Sequence, residues 1–314
     1  MNNSTISIII PVYNVENYVG ETLLSVKNQT SSPDEVIIIN DGSTDNSYNI
    51  INKFADLKGF KILQTENQGL GLTRNYGISL SKSDYIYFLD ADDVIENNFI
   101  YEMRKSINQY NKPDIILFSG KTFSNQNEIK KKINLQFTID GQFFRGDKLL
   151  TKMVEKKETL PQSSRYLTKK KLWTANNLSY PKGIAEDESL FFPLIALSNN
   201  TVIKTQSYYW YRVNRPGSIT DELVKPTHVE DYLNRILFTL NFLRLNQELI
   251  KLDYSAWCYN LERKSLKYIN LCIKQNIQIS WKTIIIIFFK TKSFFFLLKI
   301  FWRIIRNIFK HRFK

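Results

Sequence analysis

Three carboxylates stand at the end of one strongly apolar run in this sequence. The run, residues 85–89, is bulky and aromatic, and Asp90, Ala91, Asp92 and Asp93 follow it at once. Such a run predicts a buried strand, and burying unpaired carboxylates at its end is costly. Mg²⁺ or Mn²⁺ would relieve that cost by bridging the carboxylates to a phosphate, because both ions prefer oxygen ligands. Taken alone, acids in this position are more often solvated turn or helix-cap residues, so their context must decide.

Strands and helices alternate through the first hundred residues. Apolar runs predict strands at 6–10, 35–39, 60–63 and 85–89, and helices are predicted between them at 17–28, from 43 or 44 to about 58, and around Arg74. This alternation predicts an α/β fold with a mostly parallel central sheet flanked by helices. In such sheets ligands bind at the carboxyl ends of the strands. The polar clusters of the chain fall there, at residues 11–14, 40–45 and 90–93.

Four segments resemble, in order, the motifs of family-2 glycosyltransferases with the Rossmann-like GT-A fold. They are Ser7-Ile-Ile-Ile-Pro-Val-Tyr-Asn14, Asn40-Asp-Gly-Ser-Thr-Asp45, Asn67-Gln-Gly-Leu-Gly-Leu-Thr-Arg-Asn75 and Leu89-Asp-Ala-Asp-Asp93. The resemblance covers about the first third of the chain. It implies a nucleotide-sugar donor, usually a UDP-sugar, and a divalent ion, Mn²⁺ or Mg²⁺, held by the motif Asp90-Ala91-Asp92. One departure is Asn40, where the family often has an aspartate, because an amide keeps the hydrogen bonds but lacks the charge.

The residues at the strand ends also suit a nucleotide on chemical grounds. Pro11, Tyr13 and Asp41 are expected to frame the base, with the Asp41 carboxylate accepting a hydrogen bond from a ring N–H. Asp90 is expected to reach the ribose or a metal-bound water. Asp92 is expected to ligate the metal directly.

Basic residues are expected to meet the negative charge of the donor. Arg74 is predicted to contact the base or a phosphate, and a salt bridge to a surface acid is the alternative. The segment 208–220 also resembles the family, in which a Tyr-Arg pair precedes a Gly-Ser turn. Arg212, Arg215 and Ser218 could offset charge on the diphosphate as it departs. The aromatic residues of this segment are typical equally of a core and of a platform for a sugar ring.

A second acidic cluster, Glu186-Asp187-Glu188, precedes an apolar run. It resembles the Glu-Asp pair that opens an acceptor-side helix in the family. An inverting transfer needs a carboxylate to take the proton of the acceptor hydroxyl, and a helix N-terminus helps to keep such a carboxylate ionised. The resemblance favours Asp187 as this catalytic base. The alternative is the ordinary enrichment of acids in the first turn of a helix.

The net charge of +13 is confined to the C-terminal part of the chain. Of 43 Lys and Arg residues, 13 lie at 263–314, where there is no Asp or Glu, so residues 1–262 hold 30 basic and 30 acidic residues. A neutral body argues against a nucleic-acid-binding face there. Two cysteines without metal-ligand spacing predict neither a zinc site nor a disulfide framework. The first residues predict no signal peptide, so a cytoplasmic protein is expected.

The tail predicts a helix at a membrane surface. Its apolar runs are far shorter than the ~20 residues that span a bilayer. At ~100° per residue, five of its basic side chains fall within about 60° of one another, and almost all the other residues there are Phe, Ile, Leu or Trp. The five are Lys292, Lys299, Arg303, Arg306 and Lys310. This pattern is typical of an amphipathic helix on anionic lipid. The alternative is a helix packed on the body or in a dimer.

The predicted organisation has four regions: a nucleotide-sugar-binding half (1–105), an acceptor-binding half (106–222), a helical region (223–280) and the membrane-associating tail (281–314). We expect an inverting, metal-dependent enzyme on the inner face of a bacterial cell membrane. It would transfer a hexose or N-acetylhexosamine to a hydroxyl of a lipid-linked glycan, as in capsule or other surface polysaccharide synthesis. Two alternatives stay open: a transferase that loads a polyprenyl phosphate with a sugar, and a non-catalytic nucleotide-sugar or glycan binding module. The sequence predicts no oligomeric state.

Overall fold

The structure is a computed structural model that describes residues 4–124, 133–158, 161–181, 188–215, 226–294 and 296–303. The chain forms two compact units. The first contains residues 1–147 and 156–216, and the second contains residues 148–155 and 217–314.

The first unit is built on one mixed sheet. Its described strands are β1 (Ile6–Val12), β2 (Glu35–Asp41), β3 (Phe60–Thr65), β4 (Tyr85–Phe88), β5 (Val94–Ile95), β6 (Ile115–Phe123), β7 (Gly141–Phe144), β8 (Tyr166–Lys169) and β9 (Asn200–Arg212). Their order is β3-β2-β1-β4-β8-β6-β9-β5, with β7 also paired to β9. The β3-β2-β1-β4 half is parallel, as the alternating sequence predicts. β8 and β5 join their neighbours antiparallel, so the sheet as a whole is mixed.

The helices of the first unit are α1 (Val19–Lys27), α2 (Ser47–Asn52), α3 (Leu70–Leu80) and α4 (Phe99–Gln109), with α6 (Lys170–Thr174) and α7 (Glu188–Leu197) later in the chain. α5 (Leu149–Glu155) belongs to the second unit. α2 is shorter than predicted at both ends. Ser43 and Thr44, expected to cap it, hydrogen-bond instead with Asn14 in the loop after β1, and the helix begins only at Ser47.

The core of the first unit lies against the fully buried strands. Every residue of β1 is buried, and six of its seven residues are apolar, as expected of a strand covered on both faces. α3 packs closely on β1 at Gly77, where an added Cβ would lie 2.3 Å from Cγ2 of Ile9. Real side chains do not approach so closely, so glycine at position 77 lets the helix lie against the strand.

The second unit is helical, as predicted for residues 227–275. It contains α5, α8 (Pro226–Leu245), α9 (Gln247–Ile250), α10 (Tyr254–Gln275) and α11 (Trp281–Thr291). α10 packs on α8, α5 and α11. α11 ends at Lys292, whose φ is +51°, and residues 296–303 are helical again.

The predicted basic amphipathic tail is therefore not one continuous helix. Arg306 and Lys310 lie outside the described residues. Across the part of the chain that the structure describes, no helix combines the length and apolarity needed to cross a membrane.

Candidate active site

The carboxyl ends of β1, β2 and β4 meet at one edge of the parallel half of the sheet. β1 pairs in parallel with both other strands, and Val12 lies opposite Asn40. The loops that follow β1 and β2 are bonded to each other: the Asn14 N–H donates to Ser43 Oγ (3.1 Å), and the Thr44 N–H donates to Asn14 Oδ1 (2.8 Å). The polar clusters after these strands therefore occupy one edge, as the sequence predicts.

The three residues expected to frame a base all lie at this edge but differ in exposure. Pro11 is buried within β1, whereas Tyr13, just beyond the strand, is about half exposed. Asp41 is the last residue of β2 and is buried. Contact of these residues with a base stays a prediction.

The Asp41 carboxylate organises the loop that leads into α3. Its Oδ1 accepts hydrogen bonds from the Thr65 hydroxyl (3.1 Å) and the Gln68 N–H (3.0 Å), and its Oδ2 accepts one from the Gly69 N–H (2.9 Å). Gly69 precedes the helix with φ of +90°, a conformation that glycine adopts without steric cost. One buried carboxylate thus ties β2 to β3 and to the start of α3.

The turn after β2 requires glycine for two reasons. Gly42 has φ of +71°, and an added Cβ would lie 2.8 Å from the Asn67 backbone nitrogen. Beside it, Asn40 Oδ1 accepts a hydrogen bond from the Ser43 N–H (3.3 Å). Among the described residues Asn40 Nδ2 has no hydrogen-bond partner, so this edge carries a buried amide donor next to the Asp41 acceptor.

Arg74 and Asp90 form an ion pair in which the arginine is buried and the aspartate is partly exposed. Arg74 Nη2 lies 2.8 Å from Asp90 Oδ1, and the Arg74 side chain is 1% exposed. The guanidinium carbon also lies 5.6 Å from the ring centroid of Phe88 and 5.5 Å from that of Tyr180. The Ser164 hydroxyl donates to the other Asp90 oxygen (3.1 Å). Arg74 therefore holds Asp90 in a defined orientation at the end of β4.

Asp92 faces two arginines from the end of β9. Arg215 Nε contacts Asp92 Oδ2, and Arg212 Nε donates to the Asp92 backbone carbonyl (2.6 Å). Burial raises the pKa of Asp92 above its ordinary value, and the positive charge of Arg215 opposes that rise. Both members of the Asp92–Arg215 pair are largely buried. The cation that now balances Asp92 is thus a side chain of the same chain.

Asp93 anchors β9 to the acidic cluster. One of its oxygens accepts the Arg212 backbone N–H (2.7 Å), and the other accepts the Tyr209 hydroxyl. Complete burial, reinforced by repulsion from Asp92 and Asp90, raises the pKa of Asp93 well above its usual range. Gly120 on β6 leaves room for Tyr209, because an added Cβ would lie 3.0 Å from the Tyr209 ring.

Arg212 lies in the wall of the site. Its Nη2 donates to Glu21 Oε2 at 2.7 Å. Its guanidinium carbon is 5.0 Å from the Tyr18 ring centroid and 4.3 Å from that of Phe123. Stacking and ion pairing together fix the orientation of this side chain. Its predicted contact with a diphosphate stays a prediction.

A further buried guanidinium, Arg165, ends the 3-10 turn Ser163–Arg165. Its guanidinium carbon lies 4.5 Å from the Phe137 ring centroid. In the described part of the chain, the three guanidinium nitrogens have no hydrogen-bond partner. Burial lowers the pKa of Arg165 to about 10, although the charges of Tyr209 and Glu158 act to raise it. With a pKa of about 10 the side chain stays cationic at neutral pH.

Of the three aspartates at this edge, Asp92 is the one that could hold a divalent cation, in exchange for its contact with Arg215. The oxygens of Asp90 accept from Arg74 and Ser164, and those of Asp93 are held by β9. Within the described residues no three His, Cys, Asp or Glu side chains are grouped as a metal site. Mg²⁺ and Mn²⁺ suit this arrangement, since Mg²⁺ typically takes one or two carboxylates and completes its ligands with substrate phosphates and water.

Two predicted site residues, Asp187 and Ser218, lie outside the described residues. Conversely, the structure brings in side chains that the sequence did not single out for the site: Glu21, Ser164, Arg165 and Tyr209. Tyr209 belongs to the aromatic run before Arg212, which was a visible signal. Glu21 and Ser164 belong to no motif, and only their contacts place them in the site.

Comparison with known proteins agrees with the fold and the motifs. The model of the family described as "Glycosyl transferase family 2" matches residues 7–164, about half of the chain. The putative glycosyltransferase EpsH of Bacillus subtilis is 40% identical over 34% of this chain and 31% of its own length. The poly(ribitol-phosphate) beta-N-acetylglucosaminyltransferase TarP of Staphylococcus aureus is 30% identical over 67% of this chain and 63% of its own length. The chain thus spans less than two thirds of each of these curated relatives.

A solved structure shares the fold at low sequence identity. The crystal structure of S. aureus TarS 1–349 in complex with UDP-GlcNAc superimposes with a TM-score of 0.65 at 20% identity, over 86% of this chain and 73% of that one. This likeness confirms the predicted GT-A fold. The family model matches half of this chain, and the motifs lie together at one edge of the sheet. The chain therefore belongs to glycosyl transferase family 2.

Proposed function

We propose that this protein is an inverting, metal-dependent glycosyltransferase. It moves a hexose or N-acetylhexosamine from a UDP-sugar to a hydroxyl of a lipid-linked glycan in bacterial surface polysaccharide synthesis. The observation that carries the proposal is the convergence of Asp41, Arg74, Asp90 and Asp92 at the carboxyl edge of the parallel strands. The UDP and UDP-GlcNAc complexes of TarS and the name of TarP support a UDP-sugar donor and a glycan acceptor.

The polar groups of Asn40 and Asp41 complement a uracil ring. A uracil offers one ring N–H between two carbonyl oxygens. The Asp41 carboxylate can accept about four hydrogen bonds, of which its own loop supplies three. Its remaining capacity accepts the ring N–H, and Asn40 Nδ2 donates to a neighbouring carbonyl. The half-exposed ring of Tyr13 covers the base.

The diphosphate is held at Asp92. The divalent ion supplies positive charge to the leaving phosphate oxygens when it is bound. Asp92 would hold the ion, Arg212 and Arg215 would add positive charge for the diphosphate, and Ser218 would add a hydroxyl donor. Asp90, oriented by Arg74, accepts a hydrogen bond from the ribose or a metal-bound water. These fixed charges favour the departing UDP because they are in place before its charge develops.

Transfer is a single displacement. The acceptor oxygen attacks the anomeric carbon while the bond from that carbon to the diphosphate oxygen breaks, and the bonding electron pair leaves with UDP. Asp187 takes the acceptor proton as general base. Attack from the face opposite the leaving group inverts the anomeric configuration.

The second unit meets the membrane through the surface of its last helices. On α11, Lys282, Ile285, Ile286 and Phe289 are spaced to share one helix face, and all four are exposed. Phe294, Phe301 and Trp302, in the residues after α11, are 62–70% exposed. We call these seven residues the tail face. Six exposed apolar side chains together with one lysine suit a lipid surface.

The opposite side of the tail is packed on the protein. Ile284, Ile287, Phe296 and Ile300 are buried, and α11 lies against α10. The tail therefore combines the two predicted roles of a helix packed on the body and a helix at a membrane surface. One side stabilises the helical unit, and the other is available to lipid. We propose on this basis that the enzyme is attached peripherally to the inner face of the cell membrane, beside a lipid-linked acceptor.

The test of the transferase is UDP release from UDP-glucose, UDP-galactose and their N-acetylamino forms, with Mn²⁺ and with EDTA. We expect metal-dependent release from one donor, reduced at least a hundredfold in Asp92→Asn and in Asp187→Asn. The exposed Asp56→Asn serves as the matched control and should retain full activity. Donor binding with no turnover in any condition would favour the binding module, and transfer to polyprenyl phosphate in Asp187→Asn would favour the alternative acceptor.

The membrane test uses point substitutions, because removing α11 would uncover α10. We expect Phe289→Ser/Phe301→Ser/Trp302→Ser to lower partitioning onto phosphatidylcholine vesicles containing phosphatidylglycerol at least tenfold, since each exposed aromatic contributes about 1.5–3 kcal/mol when buried. Phe144→Ser, at an exposed phenylalanine of the first unit, is the control. Equal partitioning of the triple variant and the wild type would remove the tail face from the proposal.

A further inference from the structure

A shallow groove runs along the first unit between α1 and the edge strand β5. Its volume is about 380 Å³. Its lining includes Glu21 and Leu24 from α1, Asn28 at the end of that helix, Glu96 and Asn97 after β5, and Trp210 from β9. Glu21 and Leu24 are at positions i and i+3, which places them on one face of the helix. The groove is amphiphilic, with carboxylate, amide and apolar groups on one continuous surface.

Trp210 is held rigidly at this groove. Its indole Nε1 donates to Glu96 Oε1 at 2.7 Å, and the Phe123 ring stands edge-on to it at 89°. The Lys121 ammonium lies 4.8 Å from the indole centroid. A fixed tryptophan offers a large contact area at little entropic cost. Apolar ring surface beside oriented polar groups matches a sugar, which has apolar C–H faces and a rim of hydroxyls.

The groove leads to the acidic cluster. Its Glu21 carboxylate accepts from Arg212 Nη2 (2.7 Å), and the same guanidinium donates through Nε to the Asp92 carbonyl (2.6 Å). Trp210 and Arg212 are two residues apart on β9, about 7 Å along an extended strand. The groove is therefore separated from the Asp92 backbone by one buried side chain, that of Arg212.

The charge of the groove selects among glycans. Its only charged lining residues, within the described chain, are Glu21 and Glu96. Each of them is ion-paired, Glu21 with Arg212 (2.7 Å) and Glu96 with Lys121 (4.0 Å). The groove therefore offers no unpaired cation to phosphates or uronic acids, whereas hydroxyls and amides can donate to its carboxylates.

We infer that this groove is the acceptor subsite and that it takes an uncharged glycan segment, with Trp210 as the platform for one sugar ring. The inference rests on the proposed transferase function, since that function supplies the reason for a glycan to lie beside Asp92. It goes further by naming the acceptor class and the residues that hold it. The hydroxyls of the bound segment donate to Glu96 and Glu21, and the Asn28 amide serves as donor or acceptor.

The test is direct binding of glycans to the full-length protein, followed by saturation-transfer NMR. The probes are the neutral tetramers of glucose (β-1,4 and β-1,3 linked) and of N-acetylglucosamine, and the anionic tetramer of galacturonic acid. We expect at least one neutral tetramer to bind and the anionic tetramer to bind at least tenfold more weakly. Trp210→Ala and Leu24→Glu should each reduce neutral-tetramer binding more than fivefold. Leu24 is half exposed, so its substitution tests the groove even if Trp210→Ala does not fold.

Tyr101→Ala, at an exposed aromatic outside the groove, is the matched control and should bind like the wild type. Circular dichroism melting of each variant reports its folding. Binding of no tetramer, preference for the anionic tetramer, or unchanged binding in both groove variants would overturn the inference. UDP-sugar turnover by the wild type is measured separately: turnover with no effect at the groove defeats the inference alone, and groove binding with no turnover of any donor defeats the transferase alone.

Discussion

Replacing Asp41 with asparagine should destabilise the first unit by about 2–3 kcal/mol. The buried carboxylate accepts three hydrogen bonds from its own chain, at 2.9–3.1 Å. Asparagine can keep its one oxygen towards Thr65 and Gln68, but its NH₂ then faces the Gly69 N–H. The lost bond is one to a charged acceptor, about 1.5–3 kcal/mol, and it leaves a donor unsatisfied.

The size of the effect can be bracketed by two further variants. Thr65→Val removes one hydroxyl donor and leaves the carboxylate in place, so it should cost about 1 kcal/mol. Asp41→Ala removes all three bonds, and we expect about 5 kcal/mol, near the lower end of three such bonds because water can solvate the opened loop. The predicted order of stability is wild type, Thr65→Val, Asp41→Asn, Asp41→Ala.

The assay is urea unfolding followed by circular dichroism, with amide hydrogen exchange at Gln68 and Gly69 as the local measurement. We expect the midpoint to fall at an unchanged m-value and protection of the Gly69 amide to fall in Asp41→Asn. UDP affinity separates the two roles of Asp41: Thr65→Val should bind UDP nearly as well as the wild type, whereas Asp41→Asn should not. Substitutions without a structural effect usually change the free energy of unfolding by less than about 0.5 kcal/mol. If the free energy of unfolding of Asp41→Asn differs from that of the wild type by no more than this, the loop does not depend on the carboxylate.

Three further predictions concern packing, ion pairing and pH. Gly77→Ala should lower the free energy of unfolding in urea by about 1–3 kcal/mol, because its Cβ would overlap a β1 side chain at 2.3 Å; Gly20→Ala, whose Cβ finds ordinary contact at 3.6 Å, should not, and equal effects would contradict the close packing. Arg74→Met should lower the free energy of unfolding by about 3 kcal/mol, because it leaves Asp90 without its cation. The double variant Arg74→Met/Asp90→Asn should regain part of that stability, and no recovery would show that the ion pair does not cause the loss. Burial would raise the pKa of Asp45, but hydrogen bonds from Ser47 and Glu16 outweigh it and lower the pKa. The wild type should therefore exceed Asp45→Asn in free energy of unfolding by a constant amount above about pH 5, and by less as the pH falls below about 4. A difference that grows in acid would contradict this prediction.

Local sequence determined the elements and the edge at which they end. Strands β1 and β2 each contain three consecutive isoleucines, as expected of strands whose two faces are covered. Turn residues such as Gly42 follow from the same local chemistry, since few other residues adopt φ of +71°. Once the strands run parallel, their carboxyl ends share an edge, so the placing of the polar clusters needed no knowledge of longer-range contacts.

The wall of the site was decided by tertiary structure alone. Tyr209 is 116 residues from Asp93, and Trp210 is 114 residues from Glu96, yet each pair is hydrogen-bonded. These contacts exist because β5, immediately after the acids, pairs antiparallel with β9. No local pattern encodes which strand a two-residue edge strand will join.

The tail shows the same division between local and long-range information. Its composition predicted an amphipathic helix with apolar side chains opposite a basic stripe. The structure divides the apolar side chains between Ile284 and Ile287, which are buried, and Phe289 and Trp302, which are exposed. Sequence periodicity identifies a helix face, but only the packing of α11 on α10 determines which apolar side chains the protein covers and which remain for a partner.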